Sequence, residues 1–144
     1  MRAVATMLGQ SILVGLLAAT LFACDSSPNL LPQVSEMKAE LQALNDKLQE
    51  PPIGPMTVFA KPEGAYMEFR YKPKEREAFV QRIKAMATEG GYTLSAERVD
   101  PVVVLTMCSP KARHRRLHVA QGGDGVVSLS IRMSRPPLLN SPAC

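Results

Sequence analysis

Ala65-Tyr66-Met67-Glu68-Phe69-Arg70-Tyr71 sets Met67, Phe69 and Tyr71 against Tyr66, Glu68 and Arg70 at every second residue. Successive side chains of a strand point to opposite faces, so this period spells a strand with one face in a core and the other towards water. Upstream, Thr57-Val58-Phe59-Ala60 reads as a short strand, and Lys61-Pro62-Glu63-Gly64 as the turn between the two. Downstream, Pro73 opens a helix whose apolar stripe is Phe79, Val80, Ile83, Met86 and Ala87, while Lys74, Glu75, Arg76, Glu77, Gln81, Arg82 and Lys84 largely face solvent. Gly90-Gly91 ends it, because glycine accepts the left-handed conformation that closes many helices.

Tyr92 to Ala96 continues as a strand, and Pro101 introduces Val102-Val103-Val104-Leu105-Thr106-Met107, an apolar β-branched run expected at the centre of the sheet. Ser109-Pro110 breaks it. Leu117-His118-Val119 and Val127-Leu129-Ile131 then read as two strands of a hairpin joined by Gly122-Gly123-Asp124-Gly125. The alternative is a short helix over 110–118 started by Ser109 and Pro110; the hairpin is the preferred reading. No internal repeat is found. The expected fold class is α+β: a small antiparallel or mixed sheet with one main packed helix over residues 56–135, followed by an irregular tail, 136–144.

Ahead of this domain, residues 33–50 form an amphipathic helix. Val34, Met37, Leu41, Leu44 and Leu48 alternate steps of three and four, as in a heptad seam, while polar residues including Glu36, Glu40 and Asn45 populate the other faces. Pro32 and Pro51-Pro52 delimit it. The stripe is expected to bind a partner, as a short coiled coil, a homo-oligomer seam or a helix in a partner's groove; the plainer alternative is packing on its own domain. Residues 51–55, Pro-Pro-Ile-Gly-Pro, are a stiff spacer expected to hold the two parts apart. Residues 24–32 are a polar tether.

Residues 1–23 carry the parts of a secretory signal: Arg2 and the amino group, an apolar run from Leu8 to Leu21, then small residues. The run is too short and interrupted for a spanning helix, which needs about 20 apolar residues. Its end, Leu21-Phe22-Ala23-Cys24, resembles the lipobox of bacterial lipoproteins. That resemblance implies that Cys24 takes a diacylglycerol and becomes the first residue of the mature chain, facing the periplasm. Asp25 stands where that family places an inner-membrane retention signal, which favours the inner over the outer membrane.

The formal net charge of +4 is modest, and no nucleic-acid partner is expected of an exported chain without Trp or basic–aromatic interleaving. Of three cysteines, lipidation of Cys24 leaves Cys108 and Cys144 as an even pair in a disulfide-permissive compartment, and they are expected to bridge. A loop of that size contributes about 4 kcal/mol by chain entropy.

Lys111, Arg113, His114, Arg115 and Arg116 form the densest charge cluster; Lys111, Arg113, Arg115 and Arg116 are a candidate basic patch for anionic headgroups or an acidic partner. His114 and His118 could share a metal only on a helix, and no third ligand accompanies them, so no metal site and no cofactor beyond the lipid on Cys24 are expected. Ser109, Ser128, Ser130 and Ser134 lie outside any nucleophile-elbow motif. Glu63 and Glu68 are not a catalytic pair, and Gly122–Gly125 lacks the lysine of a phosphate loop. No enzymatic activity is expected.

Phe79-Val80-x-x-Ile83 through Ala87, Gly91-Tyr92-x-Leu94 and Pro101-Val102-Val103-Val104-Leu105 resemble the small periplasmic domain of secretins, which DotD-type lipoproteins of type IV secretion systems share. The likeness spans about forty residues. It implies a docking module in an envelope-spanning ring, with no catalytic residues. The function expected is therefore a non-catalytic, membrane-anchored periplasmic lipoprotein that docks onto an envelope protein complex of secretion or pilus type. The alternative is a ligand- or inhibitor-binding lipoprotein using its basic loop and hairpin.

Overall fold

The computed structural model of the chain describes residues 31–62, 64–98, 101–134 and 144. In order, the elements are α1 (Leu31–Leu48), β1 (Thr57–Lys61), β2 (Gly64–Tyr71), α2 (Arg76–Glu89), β3 (Thr93–Glu97), β4 (Val103–Cys108), β5 (Arg115–Gln121) and β6 (Val127–Ser134). The strands form one sheet in the order β1-β2-β6-β5-β4-β3, and every pairing is antiparallel. This is the expected α+β class. Helix α2 carries the chain from β2 to the far edge, from which β3 to β6 return strand by strand until β6 lies against β2.

The two-residue period of β2 is realised: Ala65, Met67, Phe69 and Tyr71 are buried, while Tyr66, Glu68 and Arg70 face outward. The register passes this parity across the sheet, so Leu105, Met107, Leu117, Val119, Leu129 and Ile131 join the inner layer. Both helices cover that face. Phe79, Val80, Ile83 and Ala87 of α2 are buried, and the Tyr71 and Phe79 rings meet at 5.1 Å between centroids. Tyr71 donates to Asn45 Oδ1 of α1 at 2.8 Å.

Two glycines are required where they stand. A Cβ on Gly64 would lie 2.5 Å from the Met133 carbonyl oxygen, so only glycine lets β2 begin against the end of β6. Gly91, at φ +88°, turns the chain out of α2 as expected, with Tyr92 N–H donating to Ala87 O at 3.0 Å.

Three expectations change. The stripe Val34, Met37, Leu41, Leu44 and Leu48 is not a free seam for a partner or second copy. Met37, Leu41, Leu44 and Leu48 are in the core and Val34 packs against it. A heptad stripe and a stripe that fits a sheet share the same three- and four-residue steps, and the sheet beside this helix offered apolar surface to cover. Residues 51–55 accordingly do not hold two parts apart; Ile53 N–H donates to Arg70 O at 2.7 Å and the chain doubles back. The valine-rich β4 lies one strand in from the β3 edge, and β6 and β5 occupy the centre. Strand β5 settles the alternative at 110–118 in favour of the hairpin.

Cys108 and Cys144 form the expected disulfide, with Cα atoms 5.4 Å apart. The stretches 1–30 and 135–143, including Cys24 and Asp25, lie outside the described residues.

With Leu41 fully buried, Leu41→Ala should lower stability by about 2–5 kcal/mol. Urea unfolding of the full chain checks this; a helix that merely extended into solvent would leave the midpoint where it was.

Candidate functional site

Two polar assemblies stand out, one inside the fold and one on the outer face of the sheet. The inner one is built around Glu40 of α1. Its carboxylate accepts from Arg115 Nη1 at 2.6 Å, from Ser109 Oγ at 2.8 Å and from the Tyr92 hydroxyl. A second guanidinium nitrogen, Nη2, reaches Glu36 Oε2 at 3.3 Å. Arg115 is 2% exposed and Glu40 4%. The Arg115 Nε atom is buried without a hydrogen-bond partner among the described residues. Burial first, and then donation to Glu40, push the Tyr92 hydroxyl above its ordinary pKa.

This assembly joins four places in the chain: α1, the exit from α2, the end of β4 and the start of β5. Its chemistry is that of a clamp. The Ser109 hydroxyl donates to Glu40 and accepts from Lys111 N–H at 3.1 Å, so it is committed on both sides. The Glu40 carboxylate accepts from three side chains and is almost wholly buried.

The outer face carries Lys61, Phe59, Tyr66, Glu68, Arg70, Arg132, Arg116 and His118, in rows fixed by the register. Phe59, Tyr66, Arg132, Arg116 and Cys108 follow one another across five strands. Lys61 Nζ stands 5.0 Å from the Phe59 ring centroid and the Arg132 guanidinium 4.8 Å from that of Tyr66. In the next row His118 Nδ1 is 3.2 Å from Thr106 Oγ1. Burial, with the positive charges of Arg132 and Arg116, lowers the His118 pKa to about 4.

The candidate basic patch is divided by this geometry. Lys111, Arg113 and His114 belong to the β4–β5 turn, and Arg116 points outward on β5. Arg115 is withdrawn into the clamp and is no part of a binding face. The parity of β5 explains it: Arg115, Leu117 and Val119 share the inward side. His114 in a turn and His118 on a strand do not form the helical pair that a shared metal needs.

The sequence reading misses Glu40 and Glu36 as partners of Arg115, and Tyr92 and Ser109 as donors to Glu40, and it sets Glu40 on a polar helix face. A signal is nonetheless present. Met37, Glu40, Leu41 and Leu44 fall at i, i+3, i+4 and i+7, which puts Glu40 inside the buried stripe.

Comparison with family models, with curated proteins and with solved structures finds no match to the chain.

Glu40→Leu alone, or Arg115→Met alone, should cost about 3–5 kcal/mol by leaving a buried charge uncompensated. Combining Arg115→Met with Glu40→Leu should recover a large part of it, and a double-mutant cycle by urea unfolding measures the difference. His118 takes up a proton more readily in the unfolded chain, so its contribution to stability is present above pH about 6.5. That contribution is lost as pH falls towards 4. His118→Gln should flatten this part of the pH–stability profile relative to the wild type.

Proposed function

We propose that the chain is a non-catalytic, lipid-anchored envelope protein that docks onto a larger periplasmic assembly by accepting an extended partner segment along β1. The observation that carries the reading is the contrast between the two edges of the sheet. β1 pairs with β2 in an unbroken register from Thr57↔Glu68 to Lys61↔Gly64, and all five of its residues are exposed, Val58 and Phe59 among them. At the other edge, β3 is bulged between Leu94 and Ala96, and Arg98 follows it at φ +54°. Bulges and charges are how sheets refuse further strands, whereas a regular edge offers its outward N–H and C=O groups to one. Lys61 is the one charged side chain of β1.

The anchor comes from the Leu21–Cys24 lipobox, with Cys24 carrying the diacylglycerol and Asp25 favouring the inner membrane. The Cys108–Cys144 bridge supports an oxidising compartment such as the periplasm. The commitment of Ser109 and Glu40 to the clamp supports a non-catalytic role. The α1 stripe offers the partner nothing, because the core uses it.

A photo-crosslinking amino acid at Val58, compared with one at Leu94 on the opposite edge, tests the docking reading in intact cells. The expected outcome is one adduct from position 58 whose crosslinked residues map to a single extended segment of an envelope protein. Equal adducts from both positions, or none at 58, would refute it. The anchor has a separate test: Cys24→Ala should abolish palmitate labelling and release the chain from the membrane fraction.

A further inference from the structure

The outer face of the sheet is unequal along its width. Along the row of Thr106, His118 and Ser130 it is closed: Thr106 and Ser130 are buried and His118 is half-buried. Towards β1, β2 and the Arg132 end of β6 it is open, and there Lys61, Arg70 and Arg132 are exposed while Phe59 retains 52% of its surface. Among the described residues, Glu68 is the one outward-pointing carboxylate of the strands, and it accepts from the neighbouring Tyr66 hydroxyl. Each ring of this region carries a cation, Lys61 over Phe59 and Arg132 over Tyr66.

Three exposed cations against one engaged acid make a surface for an anion. The rings decide which kind. An aromatic side chain half out of a sheet, with a long cationic side chain laid over it, suits a boundary that is apolar on one side and anionic on the other. A headgroup layer is such a boundary: phosphates meet the cations and the ring enters the outer part of the acyl region. We propose that the β1–β2–β6 part of the outer face lies on the anionic phospholipid surface of the membrane that carries the protein. The choice of lipid as the anion rests on the anchor read from Leu21–Cys24. The contact itself is made by side chains far from that anchor in sequence. Lying on this face leaves β1, the edge strand of the described sheet, directed along the membrane plane, where a laterally placed partner segment reaches it.

The natural chain has no tryptophan, so single substitutions report without background. Phe59→Trp places the reporter on the outer face, and Val58→Trp places it on the same strand but on the opposite face. Each full-length variant is reconstituted into vesicles of brominated phosphatidylcholine, with or without an equal part of phosphatidylglycerol, after circular dichroism has confirmed the fold. The expected result is a blue shift and at least about twofold quenching for the Phe59→Trp variant on anionic vesicles. Quenching should be much weaker on phosphatidylcholine alone, and weak for the Val58→Trp variant on either. Raising the salt to about 1 M, where the Debye length falls to about 3 Å, should reverse it. So should Arg70→Glu with Arg132→Glu in the Phe59→Trp chain. Equal quenching of the two variants, or none of the Phe59→Trp variant on anionic vesicles, would overturn the proposal. Either result would leave the crosslinking test at Val58 to be decided on its own outcome, since that test reads a protein adduct and not lipid.

Discussion

Arg115 sits 2% exposed beside Glu40 at 4%, with 2.6 Å between Nη1 and Oε2, and the arrangement of the chain around this pair follows from its cost. Removing a guanidinium from water costs several kcal/mol, and an approaching carboxylate offsets that only with good geometry and with its remaining lone pairs satisfied. Glu40 meets both conditions through Ser109 and Tyr92. All three partners come from elements distant in sequence from α1. The pair therefore selects a pose of the helix more sharply than apolar burial does, since Met37, Leu41, Leu44 and Leu48 could slide along a greasy sheet and a buried ion pair could not. The helix expected to bind a partner is in this way a component of the domain, and residues 49–56 serve as the return path to β1.

The same sheet has a settled face and an open one. Its inner layer is apolar from β2 across to β4 and is shared by two helices. The outer layer graduates from buried hydroxyls around His118 to exposed cations and rings near β1. Because the sheet is antiparallel throughout, each outward position on one strand has a defined neighbour on the next, and that is how residues as separated as Phe59 and Arg116 come to share a row. The lowered pKa of His118 belongs to this row structure: its imidazole is half-buried and faces two guanidiniums, and both effects disfavour a third positive charge.

Edge and face suggest a division of labour. The regular β1 edge is suited to backbone pairing, which is indifferent to the partner's sequence except at alternate side chains. The cationic, aromatic outer face is suited to a headgroup layer, which is indifferent to shape. A lipid-anchored protein using both would hold a fixed orientation at the membrane while presenting one strand sideways.

Most of the elements were legible in the order of residues. The period of two at Ala65–Tyr71, the stripe of α2 with Gly90-Gly91 behind it, the glycine-rich turn at 122–125 and the even pair Cys108 and Cys144 each rest on local stereochemistry or simple counting, and each is present in the fold. Local signals of that kind survive because strands and helices impose their periods on any sequence that adopts them. How the elements meet was fixed only by packing. Folding placed the α1 stripe on the sheet, since steps of three and four describe an apolar face without saying what will cover it. It put β6 and β5 at the centre in place of β4, since a run of valines reports burial and not strand order. It also turned Arg115 inward beside a neighbour, Arg116, that faces out. Parity along β5 made that inward position readable, but the carboxylate that makes it tolerable lies 75 residues away, and a contact at that range exists only once the chain has folded.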